Sequence, residues 1–293
     1  MTAPYENPTA REWRTSPAPD VTRFHESLPG YAPTRLVEVA KLAAELGVAR
    51  VLVKEESSRL GLPAFKVLGA SYAVARALSA RLGHDEALPL DQLRDHAHGV
   101  RLIAATDGNH GRAVAHMAGL LSVPATIYTP AEITRAAKDA IEGEGAHRIE
   151  IDAGYDDVVR AAAASVDDNA VLIQDTSWDG YVDTPTWIVN GYSTLLVEAD
   201  RQAMDAGVPS FDAVFVPVGV GSLAEAVVRH YRSGVSAPSV ISVEPTAAPA
   251  VLTSLLAGQP VTVPTSPTIM AGLNCGTPTA GGWPTLRDGL DRA

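Results

Sequence analysis

The sequence predicts an α/β protein whose sheets are mostly parallel and flanked by helices. Short apolar runs alternate with helical periodicity from about residue 102 to residue 243, which is typical of strand–helix–strand crossover units. The chain has 293 residues, which is long for one domain and sufficient for two. Its content of 46% hydrophobic and 19% charged residues indicates a globular protein with a substantial core.

The chain begins with a polar, proline-rich arm over residues 1–33. A helix is predicted from about Thr34 to Gly47, and a short strand at 51–53 follows it. The next helix begins near Lys66 and carries an apolar stripe, so we expect it to pack against a sheet. A short helix is predicted near Leu90. Further strands are predicted at 102–105, 125–128, 149–151, 171–173, 213–216 and 240–243, and a helix follows each of the first five.

Charge, hydropathy and the cysteine and histidine content argue against several classes of partner and site. The formal charge is −11, whereas nucleic acid and anionic membranes both require a basic surface. No apolar run approaches the roughly 20 residues that span a bilayer, and the N-terminus has no signal pattern. The single cysteine, Cys275, cannot form an internal disulfide, which suits a reducing cytoplasm. His96 and His98 have no third ligand at a metal spacing, so no metal site is predicted.

Lys66 is the first candidate catalytic residue. It follows a turn-rich run over residues 56–63 and stands at the start of an apolar helix. The positive end of the helix dipole and burial both disfavour an ammonium group there. We therefore expect a neutral amine, the form that makes a Schiff base with a carbonyl group. The alternative is an exposed lysine in a first helical turn.

A glycine turn at 218–223 joins a predicted strand to a predicted helix. Its backbone N–H groups and the helix N-terminus would bind an anion, and glycine lets the backbone approach a phosphate closely. Gly219, Gly221 and Ala224 also satisfy the spacing of a dinucleotide-binding turn, with Glu244 where an acid that binds ribose is expected. A nicotinamide-dependent enzyme and a merely tight turn therefore remain alternatives at this point.

Two further turns place acidic side chains at the carboxyl ends of strands, where open parallel sheets bind ligands. The turn at 106–111 holds Asp107, which could move a proton, and Asn109, which could donate to a ring oxygen. Asp175 and Asp179 flank a tryptophan beyond another strand. A buried carboxyl group with a raised pKa, within reach of a substrate carbon, would suit proton transfer. The alternative for each residue is an ordinary turn former or loop acid.

Taken together, these segments resemble the fold-type II pyridoxal-phosphate enzymes, and within that group the diaminopropionate ammonia-lyases. The resemblance runs from about residue 25 to the end of the chain and is carried by the stretches 56–66, 105–112, 174–181, 185–188, 218–223 and 268–276. Three details separate it from threonine dehydratase and cysteine synthase relatives: the aspartate at 107, Trp-Asp-Gly-Tyr at 178–181 and Met-Ala-Gly-Leu at 270–273.

The resemblance implies a role for each matching position. Lys66 would hold pyridoxal 5'-phosphate through a Schiff base and later act as a base, and Asn109 would contact the ring oxygen. Asp107 and Asp175 would be the two acidic catalytic residues, with Asp107 on the face opposite Lys66. The phosphate would lie on Gly219, Val220, Gly221, Ser222 and Leu223. The implied reaction is α,β-elimination of an amino-acid substrate, D- or L-2,3-diaminopropionate, to pyruvate and ammonia by a homodimer.

The resemblance also implies two open, twisted sheets in two domains, with the cofactor in the cleft between them. We expect a small domain at 95–200 and a larger one assembled from 1–94 and 201–293. The family's chains normally continue well past the stretch at 268–276, with late strands and a polar residue facing the pyridine nitrogen. This chain instead stops at Ala293. The difference leaves two alternatives, a shortened active form and a catalytically impaired relative. An ammonia-lyase or dehydratase for serine, threonine or hydroxyaspartate is a further alternative.

Overall fold

The computed structural model describes residues 4–106, 108–234 and 237–293. In these residues the helices are α1 Thr22–Glu26, α2 Ala40–Leu46, α3 Lys66–Arg81, α4 Leu90–His96, α5 Asn109–Leu121, α6 Arg135–Gly143, α7 Tyr155–Ala164, α8 Asp183–Asp205, α9 Ser222–Ser233, α10 Ala250–Ala257 and α11 Trp283–Gly289. The strands are β1 Leu36–Glu38, β2 Leu52–Lys54, β3 Arg101–Ala105, β4 Ala125–Pro130, β5 His147–Ile151, β6 Ala170–Leu172, β7 Ala213–Pro217 and β8 Ser239–Val243. A 3₁₀ turn covers Ala271–Leu273.

Two parallel sheets confirm the predicted fold class. One has four strands in the order β5-β4-β3-β6, and the other pairs β7 with β8. In the larger sheet Leu102 lies opposite Ala125 on one side and Val171 on the other. The six strands predicted from residue 102 onward are all present, and their ends differ from the predicted ends by at most two residues.

The central strand β3 is covered on both faces. Leu102 and Ala104 point into the main core of the protein, whereas Ile103 and Ala105 belong to a second cluster with Val158 of α7. Helix α5 packs against β3 and β4, and so does α7. A strand buried on both faces reads as a continuous apolar run, which is why its sequence could be recognised.

The predicted helix from Thr34 to Gly47 is wrong in its first half. Leu36–Glu38 forms strand β1, which pairs antiparallel with β2, and the helix begins only at Ala40. The apolar spacing of this segment is helical throughout, but pairing with a distant strand outweighs it for the first residues. Gly47 does end the helix, in the left-handed conformation with φ 67°.

Helix α3 packs mainly against other helices, so the expectation of a sheet partner is also wrong. Its largest contacts are with α8 and α5. The crossing with α8 depends on glycine, because a Cβ at Gly191 would lie 2.5 Å from the Leu68 carbonyl oxygen and 2.8 Å from the Gly69 Cα. This close approach fixes the start of α3, where Lys66 lies, against the middle of α8.

A buried charge network holds the segment that precedes α3. Arg59 is 0% exposed and donates to both carboxylate oxygens of Glu198 on α8, at 2.6 and 2.7 Å. Glu56 pairs with the same guanidinium at 2.6 Å, and Lys54 pairs with Glu198 at 2.7 Å. Buried charges are tolerated when they are paired and hydrogen-bonded in this way.

The N-terminal arm lies against the C-terminal residues of its own chain. The backbone N–H of Tyr5 donates to the Ala293 carbonyl at 3.1 Å, and that of Asn7 donates to Asp291 at 2.8 Å. The arm ends in α1, where His25 is fully buried between Leu68 and Thr194. Within the described ranges, no helix combines the length and apolar character that crossing a bilayer requires.

Candidate active site

Lys66 and Asp175 form an ion pair at the centre of the candidate site. Lys66 is the first residue of α3, and Asp175 lies in the loop after β6. The Lys66 Nζ donates to Asp175 Oδ2 across 2.8 Å. The lysine side chain is 21% exposed and the aspartate side chain 7%. The pair is therefore largely shielded from water, while the lysine keeps some access to the surface.

This ion pair corrects the expected charge state of Lys66. Burial is the largest single effect on the pKa of the lysine and lowers it, as expected, but the Asp175 carboxylate together with Tyr192 and Cys275 outweighs burial, and the net pKa is raised. A raised pKa at Asp175 is also not found. Burial favours the neutral acid, but Lys66 and His110 together hold the pKa of Asp175 below its usual range. The lysine is thus an ammonium ion that must lose a proton before it can react with a carbonyl group.

His110 is the third member of the site, and sequence reasoning left it without a role. It lies in the first turn of α5 and is 3% exposed. Its Nε2 is 2.7 Å from the carbonyl oxygen of Ile173, and its Nδ1 is 4.0 Å from Asp175 Oδ2. Among the residues that the structure describes, this Nδ1 has no hydrogen-bond partner. Only glycine fits at Gly111, since a Cβ there would overlap the side chain of Thr106.

Tyr192 on α8 is a further residue that sequence reasoning missed. It is 0% exposed, and its ring packs edge-on against Phe65 with 5.0 Å between centroids. Its hydroxyl group has no hydrogen-bond partner of ordinary length in the described part of the chain. Burial raises the pKa of Tyr192 to about 12, with smaller electrostatic effects from Lys66 and Asp175. The phenol is therefore neutral beside the ion pair. The adjacent Gly191, inside an apolar helix, was the available sequence signal for close packing.

The turn between β7 and α9 requires glycine at two positions. Gly221 has φ +106°, and a Cβ there would lie 2.6 Å from Leu286 Cδ1. A Cβ at Gly219 would lie 3.0 Å from the Cys275 Sγ. These positions explain the two glycines by packing and backbone conformation as well as by ligand approach.

The same turn presents free donors at the start of α9. The first hydrogen bond of the helix runs from the Glu225 N–H to the Gly221 carbonyl at 2.8 Å. The N–H groups of residues 222–224 therefore lie ahead of the helical hydrogen-bond ladder. Donors of this kind, with the helix dipole behind them, favour an anionic ligand such as a phosphate.

Ser222 and Cys275 connect this turn to the ion pair, and Val220 connects it to Thr279. The Ser222 hydroxyl donates to the backbone carbonyl of Asp175 at 3.0 Å. The backbone N–H of Thr279 donates to the Val220 carbonyl at 2.8 Å. Cys275, which packs on the glycine turn, also lies close enough to Lys66 to raise its pKa slightly. The turn and the ion pair thus lie next to one another, as a cofactor bound by both would need.

The structure distinguishes among the other predicted polar residues. Asn109 is the first residue of α5 and its side chain is exposed beside the site. No hydrogen bond joins it to Lys66 or Asp175. Asp179 is exposed in the loop after β6, unlike the buried Asp175. Asp107 lies outside the described residues.

The Glu244 carboxylate caps the start of helix α10. Its two carboxylate oxygens accept the backbone N–H groups of Val251 and Leu252 at 2.8 and 2.7 Å, at the start of α10. An acid that binds a ribose hydroxyl would need these oxygens for the ligand. This arrangement weighs against the nicotinamide alternative for the glycine turn.

An open cavity of about 910 Å³ adjoins the glycine turn. Val220 and Cys275 form part of its wall, together with Ser177, Trp178 and the start of α7 at Gly154 and Tyr155. The Trp178 ring is stacked on Tyr181 with 4.3 Å between centroids. A cavity of this size is within the range of small-molecule sites, and it gives a ligand a route to the turn.

The residues present fit pyridoxal phosphate. A primary amine stands at one end of the site and a helix N-terminus with free donors at the other. Between them lie two buried polar atoms: the His110 Nδ1, which makes no hydrogen bond to the described residues, and the Tyr192 hydroxyl, whose one described polar neighbour of this kind is Lys66. Such atoms are uncommon in folded proteins, and they suit a polar ligand that lies between the two ends.

Comparison with known proteins gives the same assignment. A family model described as pyridoxal-phosphate dependent enzyme matches residues 27–293. The diaminopropionate ammonia-lyase of Salmonella typhimurium is 39% identical over 281 residues, covering 92% of this chain and 70% of the relative. That of Escherichia coli K12 is 40% identical over 273 residues, covering 91% of this chain and 68% of the relative.

A solved structure agrees with these relatives. The crystal structure of the Escherichia coli diaminopropionate ammonia-lyase in complex with D-serine aligns with a TM-score of 0.88 and 34% identity, covering 99% of this chain and 75% of that one. The fold, the family match over most of the chain and the Lys66–Asp175 pair beside a glycine turn all lead to one assignment. The chain belongs to the family of pyridoxal-phosphate dependent enzymes.

Proposed function

We propose that the chain is a diaminopropionate ammonia-lyase, which converts 2,3-diaminopropionate to pyruvate and ammonia by pyridoxal-phosphate dependent α,β-elimination. The observation that carries the proposal is the largely buried Lys66–Asp175 pair, 2.8 Å apart, facing the glycine turn. The two relatives at 39 and 40% identity bear this activity in their names.

Different residues would bind the two ends of pyridoxal phosphate. When bound, pyridoxal phosphate withdraws electrons from the Cα of an amino acid, so that a modest base can remove its proton. Lys66 would hold the aldehyde end of the cofactor. The backbone at 219–223 would hold its phosphate, and Asn109 would donate to its ring oxygen.

Proton transfer would fall to the lysine and the carboxylates. Asp175 Oδ2 is 2.8 Å from the Lys66 Nζ, so it is placed to accept the lysine proton and hold it in a site shielded from water. The freed amine of Lys66 would take the Cα proton from its own side of the substrate. The amine at Cβ must leave protonated, and Asp175 is the nearest described acid to Lys66 that could supply the proton.

Asp107 would serve the face of the substrate opposite Lys66. Bases on both faces would let both enantiomers react. Asp107→Asn should therefore reduce pyruvate formation from one enantiomer of diaminopropionate by at least about 100-fold more than from the other, the usual contribution of a general base. Equal losses for both enantiomers would contradict this role.

The test of the activity combines a visible spectrum with a pyruvate assay. The purified protein with pyridoxal phosphate should show the absorbance of a lysine-bound cofactor and form pyruvate from diaminopropionate. Both signals should be lost in Lys66→Ala. They should persist in Lys41→Ala, a matched control whose side chain is 90% exposed. A spectrum with no lysine-dependent band would overturn the proposal.

D-serine, L-serine, threonine and hydroxyaspartate belong in the same assay, since the Escherichia coli relative was crystallised with D-serine. Faster pyruvate or keto-acid formation from one of these than from diaminopropionate would favour the dehydratase alternative. A lysine-dependent band without turnover of any of them would identify a catalytically impaired relative.

The proposal also includes a homodimer in the cytoplasm. Exposed apolar side chains on β7 and β8, Phe215 at 67% and Val243 at 45%, support association with another chain, because exposed apolar area favours burial. A single cysteine suits a reducing compartment. Light scattering of the purified protein measures the assembly, and a monomeric mass at micromolar concentration would contradict the dimer.

A further inference from the structure

His110 presents a buried ring nitrogen toward Asp175 that the mechanism above does not use. The Ile173 carbonyl oxygen can only accept a hydrogen bond, so the Nε2 of His110, 2.7 Å away, must carry the proton that is donated. In the neutral ring the other nitrogen, Nδ1, then bears a lone pair. That lone pair lies 4.0 Å from Asp175 Oδ2.

Two acceptors facing one another in a buried site are unfavourable unless a proton lies between them. In the structure the Lys66 ammonium, 2.8 Å from Asp175 Oδ2, compensates the negative charge of Asp175. If pyridoxal phosphate took up the Lys66 amine, Asp175 would lose part of this counter-charge and would face the His110 Nδ1 more directly. The 4.0 Å separation is within the looseness that catalytic contacts show before a ligand closes them.

Three other described titratable groups near this pair, Tyr192, Tyr181 and Lys66, keep their charge near neutral pH. Tyr192 on α8 and Tyr181 in the loop after β6 both have a pKa raised by burial. Lys66 on α3 has its pKa raised by Asp175. Among the described residues that face Asp175, His110 is the one that presents a ring nitrogen able to take up a proton.

We propose that His110 is a positioning residue that holds one proton jointly with Asp175 and so keeps Asp175 able to protonate the departing amine. The proposal rests on the elimination proposed above. In the step, the O–H bond of Asp175 breaks as an N–H bond forms on the β-amine. The electron pair left on Cα by removal of its proton forms the Cα–Cβ double bond as the C–N bonding pair leaves with nitrogen as ammonia, and Asp175 remains as a carboxylate beside the neutral ring of His110.

His110→Gln is the informative variant, because the glutamine amide can still donate to the Ile173 carbonyl but has no titratable nitrogen. His116→Gln is the matched control. His116 lies on the same helix, bonds to Glu144 at 3.0 Å and is 25% exposed. Should His110→Gln not fold, His110→Asn replaces it, since its shorter amide reaches the position of Nδ1.

The first measurement is the number of protons released when the apoprotein binds pyridoxal phosphate, obtained calorimetrically in buffers of different ionisation enthalpy. The wild type and His116→Gln should retain the lysine proton on the His110–Asp175 pair. His110→Gln should release up to about one proton more per chain. Equal release by all three proteins would overturn the proposal, whether or not the protein turns over diaminopropionate.

The second measurement is the pH dependence of kcat for pyruvate formation. In His110→Gln the alkaline limb should move about one pH unit toward acid, because the proton that the wild type holds on the His110–Asp175 pair is lost at lower pH when Asp175 alone can hold it. KM should change less than kcat. A uniform loss of kcat at every pH would show a purely structural role and would contradict the proposal. A wild type without activity, but with the predicted difference in proton release, would defeat the elimination and leave the shared proton standing.

Discussion

Replacing Gly191 by alanine should destabilise the protein, although alanine is the better helix former. The added Cβ would lie 2.5 Å from the Leu68 carbonyl oxygen and 2.8 Å from the Gly69 Cα. Both are backbone atoms, so α3 and α8 must move apart. The helix preference for alanine is worth about 1 kcal/mol, whereas overpacking a core costs about 1–3 kcal/mol. We expect the free energy of unfolding to fall by up to about 2 kcal/mol.

The same substitution at Gly119, within α5, is the matched control. Among the described residues, a Cβ there would meet the Glu144 carbonyl oxygen alone, at 3.9 Å, an ordinary contact. Gly119→Ala should therefore stabilise the protein by about 0.5–1 kcal/mol. Urea unfolding of both apoproteins, followed by circular dichroism, measures the two changes. If Gly191→Ala is as stable as Gly119→Ala, a Cβ at position 191 has no steric cost and the proposed close crossing of α3 and α8 is contradicted.

Three further predictions concern buried charge. Glu198→Gln should lower the free energy of unfolding by about 3–5 kcal/mol, because it leaves Arg59 buried without its main counter-charge. Burial lowers the pKa of His25 to about 4. Between pH 6.5 and pH 4 the unfolded chain therefore binds a proton at this residue and the native chain does not. Stability from this residue is complete above pH 6.5 and falls by about 3 kcal/mol as the pH drops to 4. Asp175→Asn removes the carboxylate that raises the pKa of Lys66, so in the apoprotein this lysine should react faster with trinitrobenzenesulfonate at pH 8.

Each of these has a comparison that isolates the cause. Glu45→Gln breaks an exposed pair with Lys41 and should cost at most about 1 kcal/mol; a similar loss at Glu198 would contradict a buried network. Urea unfolding at several pH values should show a weaker acid dependence in His25→Gln than in the wild type. Peptide mapping after modification measures Lys66, and an unchanged rate in Asp175→Asn would contradict the ion pair.

The parallel sheets were predictable because their signal is local. The four residues Leu102–Ala105 are all apolar, and the glycine turn at 218–223 ends one predicted strand and starts one helix. The strand at Leu36–Glu38 was not predictable, because its apolar residues fit the helical period and its partner at Leu52–Lys54 lies beyond the intervening helix. Non-local pairing of this kind leaves little trace in a short window of sequence.

The candidate site was predictable in its motif residues and not in their electrostatics. Lys66 and Asp175 both belong to stretches that carry the family resemblance, yet nothing local shows that their side chains meet. That contact inverts the expected charge of the lysine, since burial alone would lower its pKa and the carboxylate raises it. Tyr192 and His110 reach the site through helix packing and strand order, so only the fold reveals them.

The most direct test of the central claim is where pyridoxal phosphate is attached. The protein loaded with the cofactor should be reduced with borohydride, digested and analysed by mass spectrometry. The account predicts a single phosphopyridoxyl group, carried by Lys66 next to Phe65, and none after Lys66→Ala. A cofactor fixed to another lysine, or equal labelling in Lys66→Ala, would contradict it.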